Sequence, residues 1–173
     1  KKYKHQWNLI DAISSLNNHG ACIELHLIGG GDPIALDLMK KAINRNPSNK
    51  KTFFYHGNLS HSETIKWYYK SDMFVFPSSC ETFGISLLEA MAVGLPIAAS
   101  NKGHIAEILR DSGLYFNPDS VSSIEKCLKY AIENPDQMKI FGARAKEYSK
   151  TYSWEKCSNI TLEFLSNFYA RKK

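Results

Sequence analysis

The sequence lacks any apolar run near the ~20 residues needed to cross a bilayer, and its first residues lack a signal peptide's apolar segment. Its four cysteines are far apart and form no C-x-x-C pair, which argues against a structural zinc site. Each cysteine lies in or beside an apolar stretch. We therefore expect buried free thiols, as in a reducing cytoplasm.

The net charge is also small outside the two ends of the chain. Six of the 22 Lys and Arg residues lie within residues 1–4 and 171–173, and the remaining 16 face 17 acidic residues. A nearly neutral body gives little support for nucleic acid binding, which needs basic residues clustered on one face. The basic ends are typical of solvated tails, with an anionic membrane surface as an alternative partner.

Short β-rich runs alternate with longer helical patterns over the first two thirds of the 173 residues. We predict strands over 23–28, 52–56, 73–76, 97–100 and 113–116, and helices over 7–18, 33–46, 61–70, 84–94 and 103–110. Beyond Pro118 the pattern is helical, over 120–133, 135–150 and 153–169. Such alternation predicts one α/β domain with a Rossmann-like parallel sheet, helices on both faces and a helical C-terminus. The apolar runs at 73–76 and 97–99 suit strands buried on both sides.

The last predicted helix carries an apolar stripe at three- and four-residue spacing. Its members are Trp154, Cys157, Ile160, Phe164, Leu165 and Phe168. We expect this stripe to pack on the domain's own core, and contact with a separate body is the alternative.

Ligands of open parallel sheets bind beyond the carboxyl ends of the strands. One candidate segment there is the glycine run 29–31, which follows the first strand and precedes a helix. Glycines let backbone N–H groups approach a phosphate closely. The sequence contains neither G-x-G-x-x-G nor the P-loop pattern, which disfavours a dinucleotide-dependent oxidoreductase.

A second candidate segment surrounds two glutamates, Glu81 and Glu89. The helix predicted over 84–94 is apolar nearly all round, so we expect it to be buried, with Glu89 as its only charged residue. A buried carboxylate needs a Lys or Arg, backbone donors or ligand hydroxyls as partners. We favour ligand hydroxyls for Glu89, and a lasting ion pair there would contradict this interpretation.

The run "PSSCETFGISLLEAMAVGLPIAAS" resembles the E-x₇-E signature of the group 1 glycosyltransferase family, retaining enzymes of the GT-B fold. The flanking segments "LHLIGGGD", "FFYHGNLSHSETIKWYYKSDMFVFPSS" and "NKGHIAEILRDSGLYFNPDS" also resemble the family. The likeness covers roughly residues 4–150 and corresponds to the C-terminal, donor-binding half of such enzymes.

The resemblance implies roles for individual residues. Glu81 would hold the hydroxyls of the donor sugar, and Glu89 those of the nucleotide's ribose. Lys4 would bind the diphosphate, although His5 stands where the family has glycine. The remaining implied donor-binding residues are Gly30, then Gly57, Asn58 and Leu59 near the nucleobase, and the backbone of Thr82, Phe83, Gly84 and Ile85 at the diphosphate and sugar.

The resemblance also implies parts that residues 1–173 do not include. A strand ending in Gly-Arg normally precedes the lysine, and an N-terminal acceptor domain of comparable size completes the enzyme. We therefore expect residues 1–173 to be a nucleotide-sugar-binding domain without its first strand. Alone, it is expected to be inactive.

The expected reaction moves a sugar from a UDP- or GDP-sugar to a carbohydrate or lipid-linked acceptor, in cell-surface polysaccharide or glycolipid synthesis. No D-x-D pair is present, so we expect neither a metal nor another cofactor. Lys4 and Glu81 are the candidate catalytic residues, with Glu81 acting as a positioning group. The expected location is the cytoplasm or the inner face of its membrane. The alternative is a nucleotide-sugar-binding module without turnover.

Overall fold

The computed structural model describes residues 2–170, so Lys1 and the basic residues 171–173 lie outside the described part. This part contains five strands: β1 (Leu25–Ile28), β2 (Phe53–Gly57), β3 (Phe74–Phe76), β4 (Ile97–Ser100) and β5 (Leu114–Phe116). Its eight α-helices are α1 (Gln6–Asn18), α2 (Pro33–Asn44), α3 (His61–Lys70), α4 (Ile85–Val93), α5 (Ile105–Leu109), α6 (Val121–Glu133), α7 (Pro135–Ser149) and α8 (Trp154–Ala170). The predicted elements are all present, with ends displaced by two residues at most.

Every strand pairing is parallel, as the alternating pattern predicted. β1 pairs with β2, with Leu25 opposite Phe53. β3, β4 and β5 pair in that order, with Val75 opposite Ala98 and Ala98 opposite Leu114. The carboxyl ends within each sheet therefore lie at one edge.

Two apolar clusters cover the two faces of these strands, which confirms the predicted helices on both sides. On β4, Ala98 faces a cluster that includes residues of α1 and α6, such as Ile13 and Ile124. Its neighbours Ile97 and Ala99 face the other cluster, which includes residues of α4 and α5. The alternation follows from the two-residue period of a strand. β4 is buried throughout, as predicted, whereas in β3 only Phe76 is fully buried.

Within residues 2–170, β1 and β3 share no strand pairing, so the parallel strands form two hydrogen-bonded groups. Leu27 of β1 and Val75 of β3 nevertheless pack against the same apolar cluster. On the opposite face, α3 contacts both groups. Trp67 lies 4.3 Å from the ring of His26 on β1, and Tyr68 lies 5.7 Å from that of Phe74 on β3, between ring centroids. The two groups are thus held together by helices rather than by a shared ladder.

Helices α4 and α7 are in close contact at a glycine. A Cβ atom at Gly142 of α7 would lie 2.3 Å from the carbonyl oxygen of Gly94, at the end of α4. No side chain fits at that distance, so this crossing requires glycine. The contact fixes the position of α4, the helix that follows Glu81.

The prediction that the last helix packs on the core is wrong. Its apolar residues are exposed, with Trp154 at 79% and Phe164 at 68% of full exposure. An apolar stripe records that a helix has a face for burial, but it does not identify the surface that covers that face. No described helix is both long and apolar enough to span a bilayer.

The prediction of buried thiols holds for one cysteine only. Cys127 of α6 is buried, and burial raises the pKa of its thiol to about 11. Cys22, Cys80 and Cys157 are exposed free thiols. Cys22 and Cys80 lie in loops outside the elements whose apolar runs suggested burial, and Cys157 lies on the uncovered α8.

Candidate active site

The loops after β1 and β2 are bound to each other at the carboxyl ends of these strands. The N–H of Gly29 donates to the carbonyl oxygen of Gly57 at 2.8 Å. A Cβ atom at Gly30 would lie 2.6 Å from Oδ1 of Asn58, so the amide of Asn58 lies directly against this glycine. The structure thereby brings together Gly30, Gly57 and Asn58, with half-buried Leu59 next in the chain.

The loop after β3 leads into α4 through Gly84, whose φ of 84° lies in the left-handed region that favours glycine. Gly84 supplies no side-chain cap, so the first turn of α4 presents backbone N–H groups and the positive end of the helix dipole. Thr82 is exposed beside it, and Phe83 packs edge-on against Tyr152 at 5.4 Å between ring centroids. The segment can therefore accept an anion.

Lys4 and Glu81 form an ion pair across this loop, although 77 positions separate them in sequence. The side chain of Glu81 is 16% exposed and that of Lys4 is 33% exposed. The ammonium group of Lys4 also lies 5.5 Å from the ring centroid of Phe76, the last residue of β3. A cation and a carboxylate thus meet at the carboxyl end of β3, beside the start of α4.

The expectation that Glu89 depends on ligand hydroxyls is wrong, because α3 supplies its partners. Tyr68 donates to Oε2 of Glu89 at 3.0 Å, and His61 Nε2 donates to Oε1 at 3.0 Å. The contact with His61 becomes an ion pair when the imidazole is protonated. The side chain of Glu89 is 30% exposed, and each of its carboxylate oxygens can accept a further hydrogen bond.

Tyr68 is the more permanent of the two partners of Glu89. It is buried, and burial together with the nearby carboxylate raises the pKa of its phenol above the ordinary value. His61 is an exposed residue at the start of α3. Glu89 is therefore held from within the protein and remains accessible from outside.

The apolar sequence of α4 predicted a helix that is buried all round, and this prediction is wrong. Leu87, Ala90 and Met91 are fully buried, whereas Ile85 is 55% exposed and Ala92 is exposed. Ile85 thus places an apolar side chain at the rim of the site.

Several residues near the site were missed by the sequence reasoning. Neither His61 nor Tyr68 was singled out from the sequence, yet both contact Glu89. Ser79 lies 2.8 Å from His5, between Oγ and Nε2. A signal for His61 existed in its position just after β2, because residues that follow a parallel strand lie toward the carboxyl end of its sheet. The contacts of Tyr68 and Ser79 depend on side-chain geometry that spacing does not reveal.

The site combines a cation, two carboxylates and a helix N-terminus, which suits a ligand with both phosphates and hydroxyls. Within residues 2–170, no group of three His, Cys, Asp or Glu residues could hold a metal ion.

The family model for glycosyl transferases of group 1 matches residues 1–148 of the chain. The chain belongs to this family. The resemblance of residues 4–150 to this family is thereby confirmed.

Several curated glycosyltransferases are similar to this chain. O-antigen chain mannosyltransferase B of Escherichia coli is 32% identical over 108 residues, covering 62% of this chain and 28% of the relative. A glycosyltransferase of Methanocaldococcus jannaschii is 32% identical over 160 residues, covering 86% and 40%. The chain thus spans less than half the length of these relatives.

Solved structures show the GT-B glycosyltransferase fold. Sucrose-phosphate synthase of Thermosynechococcus elongatus matches 99% of this chain and 44% of its own, at a TM-score of 0.86 and 20% identity. HepE of Anabaena, solved with UDP and glucose, matches 96% of this chain and 45% of its own, at a TM-score of 0.83 and 20% identity. The C-terminal domain of a group 1 glycosyl transferase from Francisella tularensis matches 87% of this chain and 80% of its own, at a TM-score of 0.76 and 25% identity. The predicted fold class is confirmed.

Proposed function

We propose that this glycosyltransferase chain is the donor-binding domain of a retaining, metal-independent enzyme that uses a nucleoside-diphosphate sugar. The observation that carries the proposal is the meeting of Lys4, Glu81 and the N-terminus of α4 at the carboxyl end of β3. UDP and glucose in the structure of HepE support this class of donor.

Breaking the bond between sugar and phosphate leaves negative charge on the departing nucleoside diphosphate. Preorganised donors that meet this charge lower the barrier. Lys4 and the first-turn N–H groups of α4 supply such donors in our proposal, so no metal ion is needed. Glu81 positions the sugar, and Glu89 binds the ribose hydroxyls through the oxygen lone pairs that Tyr68 and His61 leave free.

The ion pair between Lys4 and Glu81 suggests how these groups respond to the donor. A diphosphate carries more negative charge than one carboxylate and competes for the ammonium group. As Lys4 turns to the phosphates, the oxygens of Glu81 become available to the sugar hydroxyls. One binding event thereby prepares both halves of the donor site.

The acceptor is a carbohydrate or a lipid-linked sugar in our proposal, and cell-surface polysaccharide or glycolipid synthesis is the process. The O-antigen mannosyltransferase among the relatives supports this assignment. An N-terminal domain supplies the acceptor site, in keeping with relatives more than twice as long as the matched part. The basic ends of the chain would contact the inner face of the membrane.

Calorimetric titration of UDP, GDP, their sugar derivatives and NAD tests the donor class. Binding of one nucleoside diphosphate, without binding of NAD, is the expected result. Glu89→Gln should weaken that binding, while the control Glu107→Gln, at an exposed position on α5, should not. Binding of NAD alone would contradict the proposal. A transfer assay on the complete protein then separates an enzyme from a non-catalytic nucleotide-sugar-binding module, which would bind the donor without turnover.

A further inference from the structure

His5 has a left-handed backbone conformation, which residues with a Cβ atom rarely adopt. Its φ is 47°, and within residues 2–170 only Arg110 shares a positive φ among residues other than glycine. The left-handed region is sterically costly for a residue with a Cβ atom. Residues kept in such conformations are held by their surroundings and occur often at functional sites.

The side chain of His5 accounts for how this conformation is held. Its imidazole is 12% exposed, with Nε2 2.8 Å from Oγ of Ser79 and Nδ1 3.5 Å from Oδ1 of Asp119. Because a carboxylate only accepts, a proton on Nδ1 faces Asp119, and Nε2 then accepts from the hydroxyl of Ser79. Burial, opposed by Asp119, lowers the pKa of His5 and favours this neutral form.

The neighbours of His5 in sequence contact the same loop. The N–H of Ser79 donates to the carbonyl oxygen of Tyr3 at 2.8 Å. Lys4, between Tyr3 and His5, forms the ion pair with Glu81, two positions after Ser79. Three consecutive residues before α1 are thus bound to one stretch of three residues after β3. The middle residue of the three, Lys4, is the cation of the site.

We infer that His5 is a positioning residue that, through its contact with Ser79, fixes Lys4 at the diphosphate site. This inference rests on the proposed function. With residues 3 and 5 held, the ammonium group of Lys4 has few alternative positions, so little conformational entropy is lost when a diphosphate binds. The left-handed turn at His5 aims consecutive residues at the same loop.

Affinities for UDP and UMP, or for GDP and GMP if the chain prefers guanine, separate this role from a structural one. Ser79→Ala removes the partner of His5 without changing the backbone of residue 5. His5→Gly removes the imidazole while tolerating the left-handed φ. Each variant should weaken binding of the diphosphate about 5- to 10-fold, a typical effect for one hydrogen bond between neutral groups, and binding of the monophosphate less than 2-fold. The double variant should be no weaker than His5→Gly alone, because both remove one contact.

Two further variants identify which ring nitrogen of His5 holds Lys4 in position. Gln at position 5 can place its amide near the position of Nε2, whereas Asn reaches only the region of Nδ1 and tolerates a left-handed φ. His5→Gln should recover more of the diphosphate affinity than His5→Asn. The opposite order would assign the effect to Asp119 and overturn the role of Ser79.

The reactivity of Lys4 gives a readout that needs no nucleotide. Acetylation by acetic anhydride, followed by mass spectrometry, should be several-fold faster at Lys4 in His5→Gly and Ser79→Ala than in the parent chain. Lys70, an exposed residue on α3, serves as the internal control. Unchanged reactivity, or equal losses of mono- and diphosphate affinity, would overturn the inference while leaving the proposed function intact. If the parent chain binds neither UDP nor GDP, the proposed function fails, and the role of His5 fails with it.

Discussion

Glu81 and Glu89 differ in the partners that already bind their oxygens. Glu81 faces the cation Lys4, while Glu89 accepts from neutral Tyr68 and from His61. The two carboxylates therefore respond differently to a phosphorylated ligand. Loss of the Glu81 charge releases Lys4, whereas loss of the Glu89 charge releases no lysine.

Glu81→Gln should raise the affinity for the free nucleoside diphosphate about 3- to 10-fold and lower it for the sugar-bearing donor. A freed Lys4 no longer has a competing carboxylate, and removal of a partly exposed ion pair changes energies by about 1 kcal/mol. The sugar loses a charged acceptor at the same time. Calorimetric titration of the wild-type chain and the variant with both ligands measures the two opposite changes.

Glu89→Gln is the matched comparison, and it should weaken both ligands by a similar factor of about 10, since hydrogen bonds to a charged group contribute about 1.5–3 kcal/mol. Parallel effects of the two substitutions on both ligands would contradict the division of roles between Glu81 and Glu89.

His56 should make the domain less stable in mild acid. Burial, with a smaller effect of nearby His26, lowers the pKa of His56 below its ordinary value of 6.5. As pH falls through 6.5, the unfolded chain takes up a proton at His56 before the folded protein does, so the free energy of unfolding decreases. The decrease stops once the pH is below the lowered folded pKa. Urea midpoints should therefore be lower at about pH 5.5 than at about pH 7.5.

His56→Gln removes the titrating group while keeping a hydrogen-bonding side chain near His26, which lies 3.0 Å away between ring nitrogens. The difference between the two midpoints should shrink in this variant. His104→Gln, at an exposed position, should retain the full difference. An unchanged difference in His56→Gln would show that other groups cause the acid sensitivity.

At the scale of elements, α8 contributes apolar surface without burying it. Removal of residues 154–173 should leave the urea midpoint nearly unchanged, because surface segments without buried contacts contribute little to stability. Self-association of the chain should decrease, since exposed apolar patches promote it. Sedimentation velocity and urea unfolding measure the two effects.

Gly142→Ala is the contrasting control within α7. It introduces a Cβ atom 2.3 Å from the carbonyl oxygen of Gly94, so it should strongly lower the urea midpoint of unfolding. A truncation at residue 153 as damaging as Gly142→Ala would show that α8 does pack on the domain in solution.

The unpaired edges of β1 and β3 should exchange hydrogen faster than β4. β4 has neighbours on both sides, while β1 and β3 each pair on one side only within the described residues. Unpaired strand amides lack the protection of a ladder. Hydrogen exchange measured by NMR should therefore show alternate fast amides in β1 and β3 and uniformly slow ones in β4. Equal protection would indicate that the two strand groups form one continuous ladder.

The positions of the elements were predictable because each has a local signal. Strands ended at glycine or proline, as at Gly29 and Pro77, and the apolar period changed from two to about four residues in the helices. The unpaired edges of β1 and β3 have no local signal, because pairing depends on segments distant in sequence. The uncovered face of α8 was unpredictable for the same reason.

The candidate site was predictable to the level of its residues but not of their pairing. Lys4 and Glu81 were both expected at a donor, and nothing in their spacing of 77 positions indicated that they bind each other. The partners of Glu89 come from α3, where a burial pattern cannot distinguish Tyr68 from neighbouring aromatic residues. Spacing predicts which edge of the sheet a residue occupies, whereas side-chain geometry decides its partner.

At the scale of the whole molecule, the chain spans only 28–40% of the curated relatives described above, although it contains Lys4, Glu81 and Glu89, which we propose hold the donor. Transfer also requires an acceptor hydroxyl held against the correct face of the sugar. Such positioning is equivalent to effective concentrations of about 10⁵ M or more, which free acceptor in solution cannot reach. The two requirements are therefore separable by experiment.

The 173-residue chain should bind its nucleoside-diphosphate sugar at micromolar to millimolar concentrations and transfer none of the sugar to added acceptor. The complete protein should bind with similar affinity and show turnover. Calorimetry and a radiolabelled transfer assay on the two proteins measure this separation, with Glu89→Gln of the complete protein as the control that loses binding and turnover together. Transfer by the 173-residue chain alone would place the acceptor site within it and contradict the division into two domains.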